Sequence, residues 1–311
     1  MTKRLFIFAG YDINGIVDES LLHYLRSLSV LGDIVFTMDC VSPDNELNKI
    51  KQIKNILHAV AERHNEYDFG SYKRGFLWAK EHKILDKYDW VYFVNDSVYG
   101  PLFDLEPVLK DLEQRNVDLT GMIDFENEPT PIQVQSWFVG VSKKVANTTF
   151  LLNFFKTVKH QDKKQLIVLK YEVGLSQLIL SHGFKLSTYV SDENGDICHT
   201  VYEKPIEILK KGVPFVKKNG LCNLHGLQFL YPYTSNKVVE YIYENAIRNK
   251  VPFVRRSGTV EYEKCFRLTL LSLPIFKIMR QKPELGKWLC YKIFLFDCIP
   301  VFKISITKER I

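Results

Sequence analysis

The first part of the chain alternates short apolar runs with amphipathic stretches. Runs typical of buried strands, rich in aromatic and β-branched residues, occupy 4–8, 33–38 and 90–94. Apolar residues recur at helical spacing over 19–31, 45–63 and 71–85. Because strand and helix alternate, we expect parallel pairing in a doubly wound α/β sheet.

The pattern becomes more mixed after this point. Further strands are predicted at 117–123, 135–141 and 184–190, and further helices at 171–183 and 236–248. There is no internal repeat and no obvious linker before about residue 255. The sequence therefore predicts one large domain over 1–254 and a separate segment over 255–311.

The positive charge of the chain lies in the last segment. Residues 255–311 hold twelve Lys and Arg against five Asp and Glu, a net charge of +7, so the other residues carry −1 of the total of +6. Single cations there are interleaved with aromatic and aliphatic residues, which favours a basic, amphipathic, helical appendage lying on an anionic membrane. Core helices with solvated lysines and a basic RNA-binding surface are the alternatives, but no nucleic-acid motif accompanies the charge.

The amino terminus bears on localisation. The apolar run after Arg4 is too short for the core of a signal peptide or for a spanning helix. We therefore expect a cytoplasmic protein, peripheral at the inner face of the cell membrane.

Polar residues follow three of the predicted strands. They are Gly10-Tyr11-Asp12 after the first, Asp39 after the second, and Asn95-Asp96-Ser97 after the third. In doubly wound sheets, ligands bind beyond the carboxyl ends of the strands. These residues therefore predict a ligand site on one rim, although strand-end Asp and Asn also form turns, and Asp96 in an Asx-turn is the structural alternative.

Several longer stretches resemble a known family. The stretch "RHNEYDFGSYKRGF" (63–76), followed by "VYFVNDSVYGPL" (91–102), resembles the paired signature of the rhamnan synthesis F family, bacterial glycosyltransferases that build rhamnose-containing cell-surface polysaccharides. The stretches at 8–28, 135–145 and 171–183 are similar to further blocks of that family. The chain departs from the pattern at Glu66, where the family carries glycine.

The resemblance implies a GT-A type fold and a nucleotide-sugar donor, with dTDP-rhamnose as the candidate. It also implies a growing, lipid-linked saccharide acceptor. The leaving diphosphate develops negative charge, which a divalent cation such as Mg²⁺ or Mn²⁺ stabilises as a Lewis acid. Asn95-Asp96-Ser97 stands where GT-A enzymes carry a D-x-D metal motif, so Asp96 is the expected metal ligand, joined by His225 closing over the diphosphate or the metal.

Other donor contacts are expected along the same rim. The remaining candidates are Ala9, Tyr11, Asp12, Asp39, Asp68 and Lys73. Tyr11, Asp12 and Asp39 are placed for the nucleoside, and Lys73 for the diphosphate. Asp68 either binds the sugar or nucleotide or caps the helix that follows it.

Transfer with inversion requires a general base, and carboxylates are the usual choice. Glu172 matches the late acidic motif of inverting GT-A enzymes, with Asp124 and Glu126 as rivals. A first-turn glutamate favoured by the helix dipole is the structural alternative for Glu172. A non-catalytic nucleotide-sugar-binding protein and a membrane-surface scaffold are the alternative functions.

Overall fold

The computed structural model describes residues 2–127, 130–191, 201–224 and 226–253, together with the backbone of four strands between 262 and 307. The chain divides into two compact units, Met1–Val254 and Arg255–Ile311.

The described residues of the first unit include ten strands and ten helices whose bounds follow. The strands are β1 (Arg4–Gly10), β2 (Asp33–Met38), β3 (Ile56–Ala61), β4 (Trp90–Asn95), β5 (Val98–Tyr99), β6 (Leu119–Asn127), β7 (Thr130–Val134), β8 (Phe138–Ser142), β9 (Leu186–Val190) and β10 (Val216–Lys217). The helices are α1 (Glu19–Ser29), α2 (Asp44–Lys51), α3 (Tyr67–Glu81), α4 (Glu106–Gln114), α5 (Lys143–Ala146), α6 (Thr149–Thr157), α7 (Lys164–Ile167), α8 (Gly174–Ser181), α9 (Pro205–Lys210) and α10 (Asn236–Arg248). Short 3₁₀ turns occupy Leu85–Lys87, Lys218–Leu224 and Leu227–Leu230, and a π-helical turn, Val168–Val173, joins α7 to α8.

The main sheet is mixed. Its strands follow the order β3-β2-β1-β4-β8-β6-β7, with β9 also paired to β6. The four strands from β3 to β4 are parallel, whereas β8 runs antiparallel to both β4 and β6. The prediction of a doubly wound mixed α/β sheet is confirmed.

Helices cover both faces of this sheet, which is why β1 is buried along its whole length. Phe6 and Phe8 belong to one buried cluster with α1 and α4. Leu5 and Ile7 belong to the opposite cluster with α3 and α6. Strands buried on both faces read as continuous apolar runs, so the run at 4–8 was a reliable signal of a central strand.

The helix predicted over 45–63 is wrong in its second half. The helix α2 ends at Lys51, and Ile56–Ala61 form β3, which pairs in parallel with β2. Asn55 separates them with a φ of 65°, a left-handed conformation that ends a helical path. Its carbonyl accepts a hydrogen bond from the backbone N–H of Ile34 at 2.8 Å. Pairing with β2 therefore outweighs the helical spacing of the apolar residues.

The strand β10 and the helix α10 return to the carboxyl ends of β1 and β4. The strand β10 pairs antiparallel with β5, which follows the turn after β4. In α10, the Nδ2 of Asn245 donates to Asp18 at 2.6 Å, just before α1. Residues far apart along the chain are thereby brought to one rim.

The second unit contains strands where a helical appendage was predicted. They are β11 (Tyr262–Leu270), β12 (Leu273–Gln281), β13 (Trp288–Leu295) and β14 (Ile299–Thr307), and they form an antiparallel sheet in sequence order. The interleaving of apolar and polar residues, as in "FKISIT" (302–307), has the period of two that a strand requires. The helical interpretation of this pattern was wrong. Among the described residues of the chain, no helix is long and apolar enough to cross a membrane.

Candidate functional site

The candidate site lies where β1 and β4 end side by side. The chain leaves β1 towards β2 on one side and later returns through β4 on the other, so these strands enclose a switch point of the sheet, the usual place for a ligand. The backbone N–H of Asp96 donates to the carbonyl of Ala9 at 3.2 Å. The N–H of Tyr11 donates to Oδ2 of Asp96 at 3.3 Å. The segments after the two strands are therefore in direct contact.

Asn95 shapes the turn after β4. Its Oδ1 accepts from the backbone N–H of Ser97 at 3.0 Å and from the Ser97 hydroxyl at 2.6 Å. Its Nδ2 donates to Asp68 at 2.8 Å. An Asx-turn is thus present, but Asn95 forms it and not Asp96. The Asp96 carboxylate lines the cleft instead.

Two lysines that sequence reasoning missed meet this turn, Lys217 at the end of β10 and Lys218 directly after it. Lys217 donates from Nζ to the hydroxyl of Ser97 at 3.0 Å. The Nζ of Lys218 lies 3.5 Å from Oδ2 of Asp96. Burial raises the pKa of the Asp96 carboxyl above its usual value, and the Lys218 ammonium opposes that shift. The one signal in the sequence was a pair of lysines directly after the apolar run "VPFV" (213–216).

A second ionic group closes the other side of the cleft. Asp12 accepts through Oδ1 from the backbone N–H groups of Asn14 and Ile16, and through Oδ2 from Arg248. The other arm of Arg248 donates to Asp18 at 2.7 Å. Asp12, predicted to bind the nucleoside, is thus also the residue that orders its own loop and joins it to α10.

Tyr24 lies in the wall of the same cleft with an unsatisfied hydroxyl. Its side chain is 2% exposed, and its oxygen has no hydrogen-bond partner among the described residues. Burial raises the pKa of this phenol well above its usual value, and the charge of Asp96 adds to the effect. Buried polar atoms nearly always have partners in folded proteins, so this hydroxyl is an unusual feature of the cleft wall.

Glu172 lies beside Ser136 and near Tyr72. Its Oε2 accepts from the backbone N–H of Ser136 at 2.8 Å. The Tyr72 hydroxyl donates to the backbone carbonyl of Ser136, also at 2.8 Å. Burial raises the pKa of Tyr72 well above its usual value, and the nearby Asp68 charge contributes.

The helix-dipole alternative for Glu172 is wrong. The residue lies in the π-helical turn that joins α7 to α8, in the middle of a continuous helical segment, and so not in a first turn. Turns of this kind are frequent at functional sites.

Asp68 and Asp39 have structural partners. Asp68 is the second residue of α3, so it does not cap the helix from outside as the structural alternative expected. Asp39 accepts through Oδ1 from the backbone N–H groups of His64 and Asn65, at 2.8 and 3.1 Å. It therefore holds the loop after β3, and its proposed contact with the nucleoside stays a prediction.

Lys73 and the rival bases are placed less favourably for the reaction. The Lys73 ammonium donates to the carbonyl of Val158 at 2.7 Å and lies 3.6 Å from Glu66. Asp124 is buried and accepts from the hydroxyls of Thr188 and Ser191 at 2.8 and 2.9 Å. The Lys73 ammonium therefore joins α3 to the loop after α6, and Asp124 joins β6 to β9 and the residue that follows it.

Glu126 and His225 are the remaining predicted residues. Glu126 is exposed near the end of β6. His225, expected near the diphosphate or metal, lies outside the described residues.

The expected metal does not fit the donor atoms that the structure presents. Asn95 and Ser97, which flank the expected ligand Asp96 at the place of the D-x-D motif, are hydrogen-bonded to each other, and the Ser97 hydroxyl also accepts from Lys217. Asp96 itself faces the Lys218 ammonium. Among the described residues, no group of three or more His, Cys, Asp or Glu side chains is arranged to hold a metal ion.

Comparison with known proteins identifies the family. The model of the rhamnan synthesis protein F family matches residues 22–256. The chain therefore belongs to this family, and the prediction of a glycosyltransferase is confirmed at that level. The chain is also 25% identical over 244 residues to the virulence protein VirA of Vibrio anguillarum, a match that covers 77% of this chain and 69% of the relative.

Several solved glycosyltransferase structures are distantly similar. Core-mannan synthase A of Aspergillus fumigatus, in a Mn/GDP form, is 11% identical with a TM-score of 0.30, over 50% of this chain and 63% of that protein. A glycosyltransferase for the major capsid of PBCV-1 is 15% identical with a TM-score of 0.33, over 68% and 93%. GlyE of Streptococcus pneumoniae TIGR4 is 13% identical with a TM-score of 0.34, over 84% and 67%.

Proposed function

We propose that this protein transfers a sugar, with rhamnose from dTDP-rhamnose as the first candidate, from a nucleotide donor to a growing cell-surface polysaccharide. The observation that carries the proposal is the cleft at the carboxyl ends of β1 and β4, which gathers Asp96, Lys218 and the unpartnered Tyr24 hydroxyl. The position of this cleft at the switch point of the sheet suits a nucleotide.

In the proposed transfer step, the cleft holds the donor diphosphate and Glu172 is the general base. The bond between the anomeric carbon and the β-phosphate oxygen breaks, and its electron pair stays on the leaving nucleoside diphosphate. The acceptor hydroxyl oxygen forms the new bond from the opposite face of the sugar, with inversion, and its proton passes to the carboxylate of Glu172. The hydrogen bond from the backbone N–H of Ser136 holds Glu172 in place for this step.

A metal bound with the diphosphate would supply Lewis-acid stabilisation of the leaving group. Because the donor atoms around Asp96 do not fit such an ion, no step of the proposed reaction is assigned to it.

The function is tested by incubating the full chain with dTDP-rhamnose and, in parallel, with UDP- and GDP-sugars, plus an oligosaccharide acceptor. We expect release of one nucleoside diphosphate together with extension of the acceptor. Donor binding without release in the presence of acceptor would instead support the non-catalytic alternative. Absence of binding to every nucleotide tested would contradict both.

The basic second unit supports a membrane-bound acceptor. Its net charge of +7 and its many aromatic residues suit an anionic lipid surface, where a lipid-linked saccharide would be found. We expect the full chain to cosediment with anionic vesicles, and a chain lacking residues 255–311 to stay in solution. Binding should weaken as salt screens the charge. Unchanged binding after the truncation would show that the first unit meets the membrane, or that the tail has another partner.

A further inference from the structure

We propose that Lys218, and not a metal ion held by Asp96, supplies the main positive charge to the leaving diphosphate, with Lys217 supporting the turn beside it. The inference rests on the proposed function and concerns the same cleft. If the Lys218 ammonium meets the reacting phosphate, donor binding does not require a divalent cation.

The first observation is the place of the two lysines. The strand β10 pairs with β5, in the register Lys217 to Val98, so both lysines follow directly alongside the turn at 95–97. The backbone N–H of Lys218 donates to the carbonyl of Ser97 at 3.0 Å, which fixes this register. The Lys218 ammonium therefore lies where a cation bound to Asp96 would lie.

The second observation is that the Lys218 ammonium makes few and long contacts with the protein. Its distance to Asp96 is 3.5 Å, and the two side chains are 21% and 16% exposed. The nitrogen also lies 5.5 Å from the centre of the Tyr99 ring. In the described part of the chain, these are the polar and cation–π contacts of this group, so it retains hydrogen-bonding capacity for a ligand.

Arg248, the other cation of the cleft, differs in this respect. It donates to Asp12 and to Asp18 through both arms of its guanidinium. Those bonds join α10 to the segment around α1, so this cation is committed to the fold. Lys218 is thus the cation in the cleft that is available to a phosphate.

The third observation is the role of Lys217. Its ammonium donates to Ser97 and lies 5.3 Å from the centre of the Trp137 ring. It therefore packs into the turn and strengthens the positive potential there. The Asp96 carboxylate is the ionic partner of the Lys218 ammonium, and a bound diphosphate would compete with it for that group.

The chemistry follows from this arrangement. As the anomeric bond breaks, charge develops on the β-phosphate oxygen that keeps the electron pair. A hydrogen bond from an ammonium group to that oxygen strengthens as the charge grows and needs no rearrangement of solvent. Lys218 stays protonated throughout, and the acceptor proton goes to Glu172.

The test is calorimetric titration of the full chain with dTDP, and with UDP and GDP, in excess EDTA and then in excess Mn²⁺. We expect the tightest of these nucleotides to bind in EDTA with nearly the affinity seen in Mn²⁺. Lys218→Gln should weaken binding in EDTA by about tenfold, the usual size of a lost charge-assisted hydrogen bond. Lys218→Arg should restore most of it. The matched control is Lys110→Gln, which removes a lysine paired with Glu106 on the surface of α4 and should change nothing.

Asp96→Asn distinguishes the two mechanisms by the direction in which nucleotide affinity changes. If Asp96 holds a metal, the variant binds the nucleotide more weakly in Mn²⁺. If Lys218 meets the phosphate, the variant binds in EDTA at least as tightly as the parent, because the ammonium loses its competing carboxylate. Thermal unfolding of each variant separates these results from misfolding.

Binding that requires Mn²⁺ and is unchanged in Lys218→Gln would overturn this inference and leave the proposed function standing. No binding of any of the three nucleotides by the parent chain, in either medium, would overturn both.

Discussion

Two charged clusters lie at opposite ends of β1 and β4, and they are built differently. At the amino end, the Arg4 guanidinium donates to both carboxylate oxygens of Glu113. The Tyr92 hydroxyl donates to the same carboxylate at 2.9 Å. At the carboxyl end, Asp96 and Lys218 form a longer pair of 3.5 Å. The side chains are 4% and 5% exposed in the first pair, against 16% and 21% in the second.

The difference separates a group that holds the fold from a group that is available to a ligand. The first cluster is enclosed and its partners satisfy one another, so removing one member leaves a buried charge without compensation. The second is open to the cleft and lies beside the unsatisfied Tyr24 hydroxyl. Perturbed ionisable groups in a cleft mark candidate sites, whereas enclosed pairs are more often structural.

The largest effect is expected from the enclosed pair. Arg4→Leu should lower the free energy of unfolding by about 3–5 kcal/mol, because Glu113 is left buried without its partner. Urea denaturation measures this. The control is Arg26→Leu, whose ion pair with Glu19 is exposed and should contribute about 0–1 kcal/mol. Equal losses in the two variants would remove the distinction between the clusters.

The next effect concerns catalysis at the open end. Glu172→Gln should reduce turnover by about 10²-fold or more, the usual size of a general-base contribution. The melting temperature should hardly change, because a glutamine carbonyl can still accept from Ser136. Steady-state transfer kinetics and thermal unfolding check the two parts.

The same two measurements on a variant of the rival base, Asp124, provide the comparison. Asp124→Asn should chiefly lower stability, since its carboxylate accepts from two hydroxyls in a buried place. If Asp124→Asn instead abolished turnover in a fully stable protein while Glu172→Gln stayed active, the base would be Asp124.

The smallest effects are expected when the hydroxyl groups of two buried tyrosines are removed. Tyr24→Phe should raise the free energy of unfolding by up to about 1 kcal/mol, because it removes an unsatisfied polar atom, and should weaken nucleotide binding a few-fold. Tyr72→Phe should lower the free energy of unfolding by about 1 kcal/mol, because the Tyr72 hydroxyl donates to Ser136. Denaturant unfolding and calorimetry measure both. A stability loss in Tyr24→Phe would mean that its hydroxyl is already satisfied.

Much of the first unit could be predicted from local pattern. The buried strands β1, β2 and β4 stand where apolar runs indicated them, and α10 covers the predicted residues 236–248. The placing of Asn95-Asp96-Ser97 beside the end of β1 followed from the alternation of strands and helices, which requires parallel pairing. The strands and the helix themselves depend on residues close together along the chain.

Contacts between distant residues decided the rest. The stretch at 56–61 had helical spacing, yet it became a strand because β2 offered a parallel partner. Lys217 and Lys218 reach the turn after β4 from more than a hundred residues away, and Arg248 reaches Asp12 from farther still. Local periodicity states only which face of an element is apolar. Which charged side chains meet at a rim depends on chain crossings and long-range pairing, and these appear only when the whole sheet is assembled.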